Sequence, residues 1–158
     1  MSIFTQEIER QLYQISTFLQ EDIKQILLDK GHNATGELVE SIKNTVSRGS
    51  DMFTIEGSMA KQGEFVINGR LIGAKGVPID ALVKWIQNKN FSNGISSTRG
   101  LAFAIQKSIK KKGIKPDDFI GEVFDKNKGL IERKLDEAVG NALTLSLTNL
   151  VNNAQQFA

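Results

Sequence analysis

Residues that commonly carry catalysis or bind metals are few in this sequence and are poorly spaced. The chain of 158 residues contains no cysteine and a single histidine, His32. Catalytic triads and most metal sites require a histidine beside a nucleophile or beside further ligands. No carboxylate cluster adjoins His32 in the sequence, because its neighbours are Gly31 and Asn33. We therefore expect His32 to have a surface or capping role.

Two pairs of adjacent carboxylates, Glu21-Asp22 and Asp117-Asp118, are the remaining candidates for acid–base chemistry or magnesium binding. Adjacent residues on a helix point about 100° apart, so neither pair converges on one atom by itself. The second pair follows Pro116 and is explained by capping of a helix whose positive end favours carboxylates. The sequence thus predicts that the protein is not an enzyme and has no cofactor or metal. The enzymatic alternative left open is a site assembled from scattered Asp, Glu and Lys residues.

A glycine-rich segment at residues 69–76 invites comparison with phosphate-binding loops. A P-loop has four residues between its glycines and then a lysine followed by Ser or Thr. Here three residues separate Gly69 from Gly73, and Val77 follows Gly76. The spacing therefore predicts an irregular connection rather than a phosphate site.

One local run of lysines stands out in a chain whose net charge is only +2: Lys107, Lys110, Lys111, Lys112 and Lys115. Such a run suits a solvated helix end beside the negative end of the helix dipole. It also suits a surface that faces DNA. The small net charge argues against a protein whose whole surface binds nucleic acid. Aromatic residues are not interleaved with the lysines, so the run does not favour single-strand binding.

Apolar periodicity predicts an α+β fold that is mostly helical, with long N- and C-terminal helices packed on a small antiparallel β-sheet. We expect one domain over residues 1–158. The first helix covers 3–29 with a stripe from Ile8 to Ile26, and Glu7 lies off that stripe. A hairpin follows at about 44–48 and 52–56. Thr35 is the expected N-cap of a second helix, and Pro78 and Pro116 are each expected in the first turn of a later one. The predicted helices after the first are 35–42, 58–68 (with a third strand as the alternative), 78–89, 98–112, a helix opening at Pro116, and 128–153.

Three further expectations concern the helices themselves. Gly31 and Gly113 are expected to end the helices that precede them. Trp85 is expected on the buried side of its helix, with Leu82 and Ile86.

The last helix has an unusual composition, because no residue after Glu137 is charged. It carries leucines on more than one side, at 143, 145, 147 and 150, which is not typical of a solvated helix. The stretch 138–151 is shorter than the roughly 18 apolar residues of a membrane span, and the first residues do not form a signal peptide. We therefore expect a helix that is buried on several sides or that packs against another chain.

Four phrases occur in a fixed order along the chain: ATGELVESI at 34–42, EFVINGR at 64–70 with Gly73 and Pro78 beyond it, LVKWI at 82–86, and LAFAI at 101–105 leading to GIKPDDFI at 113–120. In this order they resemble the neck or tail-completion proteins of tailed bacteriophages. The version with Asn-Gly-Arg and Trp-Ile is similar to that in phages of Bacteroidetes, including crAss-like phages. The resemblance covers residues 34–125, and 1–31 and 128–158 are helical extensions of that core.

The resemblance implies a structural protein of the virion neck, assembled in the host cytoplasm, that joins the portal and head to the tail. It implies a closed homo-oligomeric ring of about twelve or six copies, beside a portal or adaptor ring and tail proteins, with no membrane. Arg70 and Gly73 are the expected contacts between subunits or rings, and Lys110, Lys111 and Lys112 are candidates for facing DNA in the lumen. The expected hydrophobic subunit contact consists of Leu143, Leu147, Leu150 and Val151. The alternative function is a small DNA-binding module that uses Lys107–Lys115.

Overall fold

A computed structural model describes residues 2–32, 36–50, 52–91 and 97–155. In these ranges, six helices and one two-stranded antiparallel sheet follow in the order α1 (Ile3–Asp29), α2 (Glu37–Ser41), β1 (Lys43–Arg48), β2 (Phe53–Ser58), α3 (Gln62–Asn68), α4 (Ile79–Asn88), α5 (Thr98–Lys112) and α6 (Phe119–Gln155). The predicted fold class is confirmed: a mostly helical α+β chain with long first and last helices. Thr35, the predicted N-cap of α2, lies outside the described residues, and Gly36 occupies the N-cap position.

The chain groups into two compact units, each made of separate stretches of sequence. Unit 1 comprises Met1–Ile23, Lys43–Ser58 and Ile120–Ala158, and unit 2 comprises Lys24–Ile42 and Met59–Phe119. A single domain over 1–158 stays a prediction.

The core of unit 1 uses the apolar stripe that the first helix was expected to have. Leu12, Ile15, Leu19 and Ile23 are buried on α1, and Val123, Ala138 and Ala142 are buried on α6. Burying a side chain of the size of leucine contributes about 1.5–3 kcal/mol. The amide of Asn127 joins the two helices, because it donates to Asp22 Oδ2 over 2.7 Å and to the Val123 carbonyl over 3.0 Å.

The hairpin of unit 1 lies close to its predicted place and is antiparallel, as expected. Its register puts Val46 opposite Ile55. It is held on α1 through Asn44. The Asn44 backbone N–H donates to Gln20 Oε1 over 2.8 Å, and its side-chain amide donates to the Ser16 carbonyl over 3.0 Å.

Two expectations for unit 1 are wrong. Glu7, placed off the buried stripe, is almost fully buried, because Arg10 and Gln11 cover its carboxylate and donate hydrogen bonds to it. The two helices expected after Pro116 are one continuous helix, α6. The polar residues between them do not break it, since Asn127 is buried and hydrogen-bonded inside the helix contact.

Unit 2 is centred on the packing of α4 against α5. Leu82, Ile86 and Ala102 form its buried cluster. Ser97 caps α5 through its side chain, which accepts from the Gly100 N–H, and Gly113 follows the helix with a φ of 71°, as predicted. Trp85 was expected in this core but is 36% exposed, and its ring packs beside Phe91 with a centroid separation of 5.5 Å.

Within the described ranges, no helix combines the length and the apolar content that crossing a bilayer requires.

Candidate functional site

The loop at residues 70–75, called the docking loop below, is fastened to the end of α5. Arg70 and Ile114 exchange both backbone hydrogen bonds at 2.8 Å and form an isolated antiparallel bridge. The Gly73 N–H donates to the Lys110 carbonyl over 2.8 Å. That carbonyl belongs to the last turn of α5, where carbonyl groups lack partners within the helix. The segment that was predicted to be an irregular connection is therefore tied down at several points.

Two glycines make this close crossing possible. Gly69 and Gly113 have φ values of 64° and 71°, in the left-handed region that side chains disfavour. A Cβ at Gly113 would lie 2.5 Å from the Arg70 carbonyl oxygen, and a Cβ at Gly69 would collide with the backbone of Ile114. Any side chain at either position would force the two backbones apart.

The side chain of Arg70 acts within its own loop. Its guanidinium donates to the Lys75 carbonyl and so closes the docking loop. In the described part of the chain, its Nε is buried without a hydrogen-bond partner. The expected role of Arg70 and Gly73 in contacts with neighbours stays a prediction, and the structure gives both a role in holding the loop.

The most exposed large apolar side chains of the loop were not singled out from the sequence. Leu71 and Ile72 are 84% and 73% exposed, and the nearby Ile114 is also exposed. The available signal was two adjacent aliphatic residues between Gly69 and Gly73, at positions expected to form a loop.

The predicted lysine run lies on the segment that holds the docking loop. Lys107, Lys110, Lys111, Lys112 and Lys115 are all exposed, as is Lys75 within the loop. Lys110, Lys111 and Lys112 form the last turn of α5, beside the negative end of its dipole. The structure therefore places the basic run on the segment to which the loop with the exposed aliphatic pair is hydrogen-bonded.

The predicted apolar contact on α6 is exposed in the isolated chain. Its four residues, Leu143, Leu147, Leu150 and Val151, are 51 to 66% exposed, and Leu145 on the same helix is 46% exposed. The hydroxyls of Thr144 and Thr148 donate to the carbonyls four residues earlier, both over 2.9 Å, so these polar groups are satisfied inside the helix. The last half of α6 thus presents an uncharged and largely apolar surface.

A cavity of about 520 Å³ in unit 2 is lined mainly by Leu38, Val66, Ala81 and Trp85, with Glu37 and Lys84 among its polar residues. His32 also lines it and places Nε2 3.0 Å from Asp117 Oδ2, while Lys30 Nζ lies 2.6 Å from Asp117 Oδ1. Hydrogen bonds from Lys30 and then His32 hold the pKa of Asp117 below its ordinary value. Lys30, His32 and Asp117 thus form a hydrogen-bonded cluster that joins the residues after α1 to the segment before α6. The capping roles expected of His32 and of Asp117-Asp118 stay predictions.

No group of three or more His, Asp or Glu side chains able to hold a metal ion is found among the described residues.

The described parts of the four phrases that carry the phage resemblance lie almost wholly in unit 2 and touch one another there. The Asp117 N–H donates to the Val66 carbonyl over 3.0 Å, which joins the second phrase to the fourth. The third and fourth phrases form the α4–α5 packing. Leu38 of the first phrase lies against Gly63, just before the second.

A comparison of this chain with protein-family models, curated proteins and solved structures finds no match.

Proposed function

We propose that this chain is a structural protein of a bacteriophage neck and forms a ring that joins the portal and head to the tail. One observation carries this proposal: the last half of α6 is uncharged and exposes leucines that a solvated helix would not retain. Exposed apolar surface of this kind marks a site of contact with another protein. An uncharged surface can meet neighbouring copies without like-charge repulsion, as a ring requires.

The arrangement of the four phrases supports the same proposal. Each phrase is weakly specific alone, but their described residues come together in unit 2 through backbone hydrogen bonds and core packing. If this chain shared a fold with the neck proteins that it resembles, the four phrases would keep their order and pack into one compact unit in this way. The proposal places the protein in the virion neck, after assembly in the host cytoplasm.

The first experiment is cryo-electron microscopy of particles purified from cells that produce this chain. We expect a symmetric ring at the junction between portal and tail, with the last half of α6 packed on a neighbouring subunit. Absence of the chain from purified particles would overturn the proposal.

A second experiment tests the subunit contact directly. Replacing Leu143 and Leu147 with Asp should abolish ring assembly, because two charges would be desolvated in the contact. The matched control replaces Asn141 and Asn152 with Asp, which adds the same charge on the opposite side of the helix. If Leu143→Asp with Leu147→Asp leaves assembly intact, the contact lies elsewhere.

The second candidate function is a DNA-binding module, which the five exposed lysines of residues 107–115 favour. This function predicts salt-sensitive binding of duplex DNA by the monomer. A ring protein instead encounters DNA only in its lumen, where Lys110, Lys111 and Lys112 are the candidate contacts.

A further inference from the structure

We propose that Leu71 and Ile72 anchor the docking loop in an apolar pocket with an acidic rim, and that this pocket belongs to a protein other than a second copy of this chain. This goes beyond the proposed function, because it rests on the loop itself and holds whether or not the chain forms a ring. It also assigns the contact to two residues whose side chains are exposed and make none of the hydrogen bonds that hold the loop.

The docking loop is organised before any partner arrives. The Arg70–Ile114 bridge and the Gly73–Lys110 hydrogen bond fix its backbone to α5. The Arg70 guanidinium closes it on the Lys75 carbonyl, and the Ala74 N–H turns back to the Leu71 carbonyl over 3.2 Å. A loop that is already ordered loses little conformational entropy on binding, which favours affinity.

The tip of this ordered loop consists of the two aliphatic side chains. Leu71 and Ile72 are 84% and 73% exposed although the backbone on both sides is fixed. Apolar side chains that a rigid scaffold holds in water contribute to binding when a partner's pocket encloses them. Serine at both positions would leave every bond that fastens the loop in place.

The charges around the tip define the partner's chemistry. Lys75, Lys110, Lys111, Lys112 and Lys115 are exposed on the loop and on the segment that holds it. The nearest carboxylate on this segment, Asp117, is already bound to Lys30 and His32. Exposed lysines on the loop and on the segment that holds it complement a pocket with an acidic rim, and such complementarity guides association and selects the partner.

The same features disfavour three other occupants. A second copy meeting this loop with its own would bring two lysine clusters together. Phosphates of DNA would use the lysines but would leave Leu71 and Ile72 without an apolar partner. A bilayer requires an apolar face buried about 5–10 Å deep, whereas the exposed tip is two residues long and its ends are fastened to α5.

The test places a photo-cross-linking amino acid at Leu71 in the full-length chain, inside cells that produce it with its natural partners. We expect adducts with one site on one other protein, mapped by mass spectrometry to a peptide rich in Asp and Glu. Adding Ile72→Ser, or Lys110→Glu with Lys111→Glu, should lower the adduct yield at least tenfold. The matched control, Met52→Ser beside the hairpin of unit 1, removes an exposed apolar side chain outside both proposed contacts and should leave the yield unchanged.

Two purified probes complete the test: duplex DNA, and vesicles of phosphatidylcholine with phosphatidylglycerol. We expect the Leu71→Ser, Ile72→Ser double variant to bind both probes as the wild-type chain does, and to have an unchanged free energy of unfolding. Adducts with a second copy or with DNA, vesicle binding that depends on Leu71 and Ile72, or no adduct at all would each overturn the proposal.

Discussion

At the scale of single residues, Gly69 has the strictest requirement in unit 2. Its φ is 64°, and a Cβ would collide with the backbone of Ile114. We expect Gly69→Ala to lower the free energy of unfolding by about 2 kcal/mol or more, because the left-handed conformation and the collision add. Urea denaturation measures the change.

The control for this prediction is another glycine in open space. Gly140 lies within α6, has no positive φ, and would place a Cβ against nothing within 4 Å. Gly140→Ala should raise the free energy of unfolding by about 0.5–1 kcal/mol, since alanine is the better helix former. Similar losses for both variants would contradict the backbone crossing.

Asp117 gives a prediction about pH. Its pKa is lowered by hydrogen bonds from Lys30 first and His32 second. A carboxylate whose pKa is lower in the folded chain stabilises the fold above its unfolded pKa, and this stabilisation is lost as the pH falls through the folded value. Asp117→Asn should therefore reduce the free energy of unfolding at about pH 5 and have a smaller effect at about pH 2.5, where the stabilisation is being lost.

Asp136→Asn is the matched control, because Asp136 is an exposed carboxylate on α6. Denaturant unfolding at both pH values should show little difference between this variant and the wild type. An effect of Asp117→Asn that is equal at the two pH values would show that the ion pair does not stabilise the fold.

Local sequence signals predicted some residues well and others not at all. Gly113 was recognised as the end of α5 because capping depends on a few neighbouring residues. The contact of His32 with Asp117 joins residues 85 positions apart, and no local pattern contains it. Burial of Glu7 also escaped prediction, because it depends on how Arg10 and Gln11 fold over the carboxylate.

At the scale of elements, periodicity placed α1, the hairpin and α5, each of which has clear apolar spacing and a glycine or polar turn at its end. The boundary within α6 was wrong because the polar run 125–128 reads like a loop when its packing is unknown. In the structure the continuous helix accommodates this run, and Asn127 makes a buried contact with Asp22. The same distinction applies to the candidate site. The lysine run could be predicted from the sequence, whereas the hydrogen bonds that fasten the docking loop to α5 could not.

The α4–α5 packing yields an element-scale prediction. Ile86 is 0% exposed at its centre. Ile86→Ala should lower the free energy of unfolding by about 2–5 kcal/mol, since it removes buried surface and leaves a cavity. Leu71→Ala, in the same unit but exposed, should change it by no more than about 0.5 kcal/mol. Denaturant unfolding of both variants checks the difference, and equal losses would place Ile86 outside the core.

At the scale of the whole molecule, sequence patterns could not predict the interleaving of the two units. Unit 1 draws on the beginning, middle and end of the chain. Such interleaving arises from contacts between distant segments, which composition and periodicity do not record. The proposed function depends on surfaces left exposed in the single chain, and the loss of charge after Glu137 indicated one such surface from the sequence.

The DNA-binding alternative makes a whole-molecule prediction. If the monomer binds duplex DNA through its lysine run, replacing Lys110, Lys111 and Lys112 with Ala should reduce the slope of log affinity against log salt by about 2 to 3 units. Fluorescence anisotropy at several salt concentrations measures the slope. A matched set on α6, Lys126, Lys128 and Lys134 to Ala, should leave it unchanged if the run at 107–115 is the contact. Equal losses from both sets would indicate binding by general charge.

The backbone fastening of the docking loop also bears on how such a protein can evolve. The bridge, the capping of Lys110 and the two glycines set the position of the loop without using the side chains of Leu71 and Ile72. Substitutions of Leu71 and Ile72 should therefore change the proposed contact with a partner but have little effect on folding. On this basis we expect the pair to vary between related chains more readily than Gly69 and Gly113, where any side chain would meet backbone atoms.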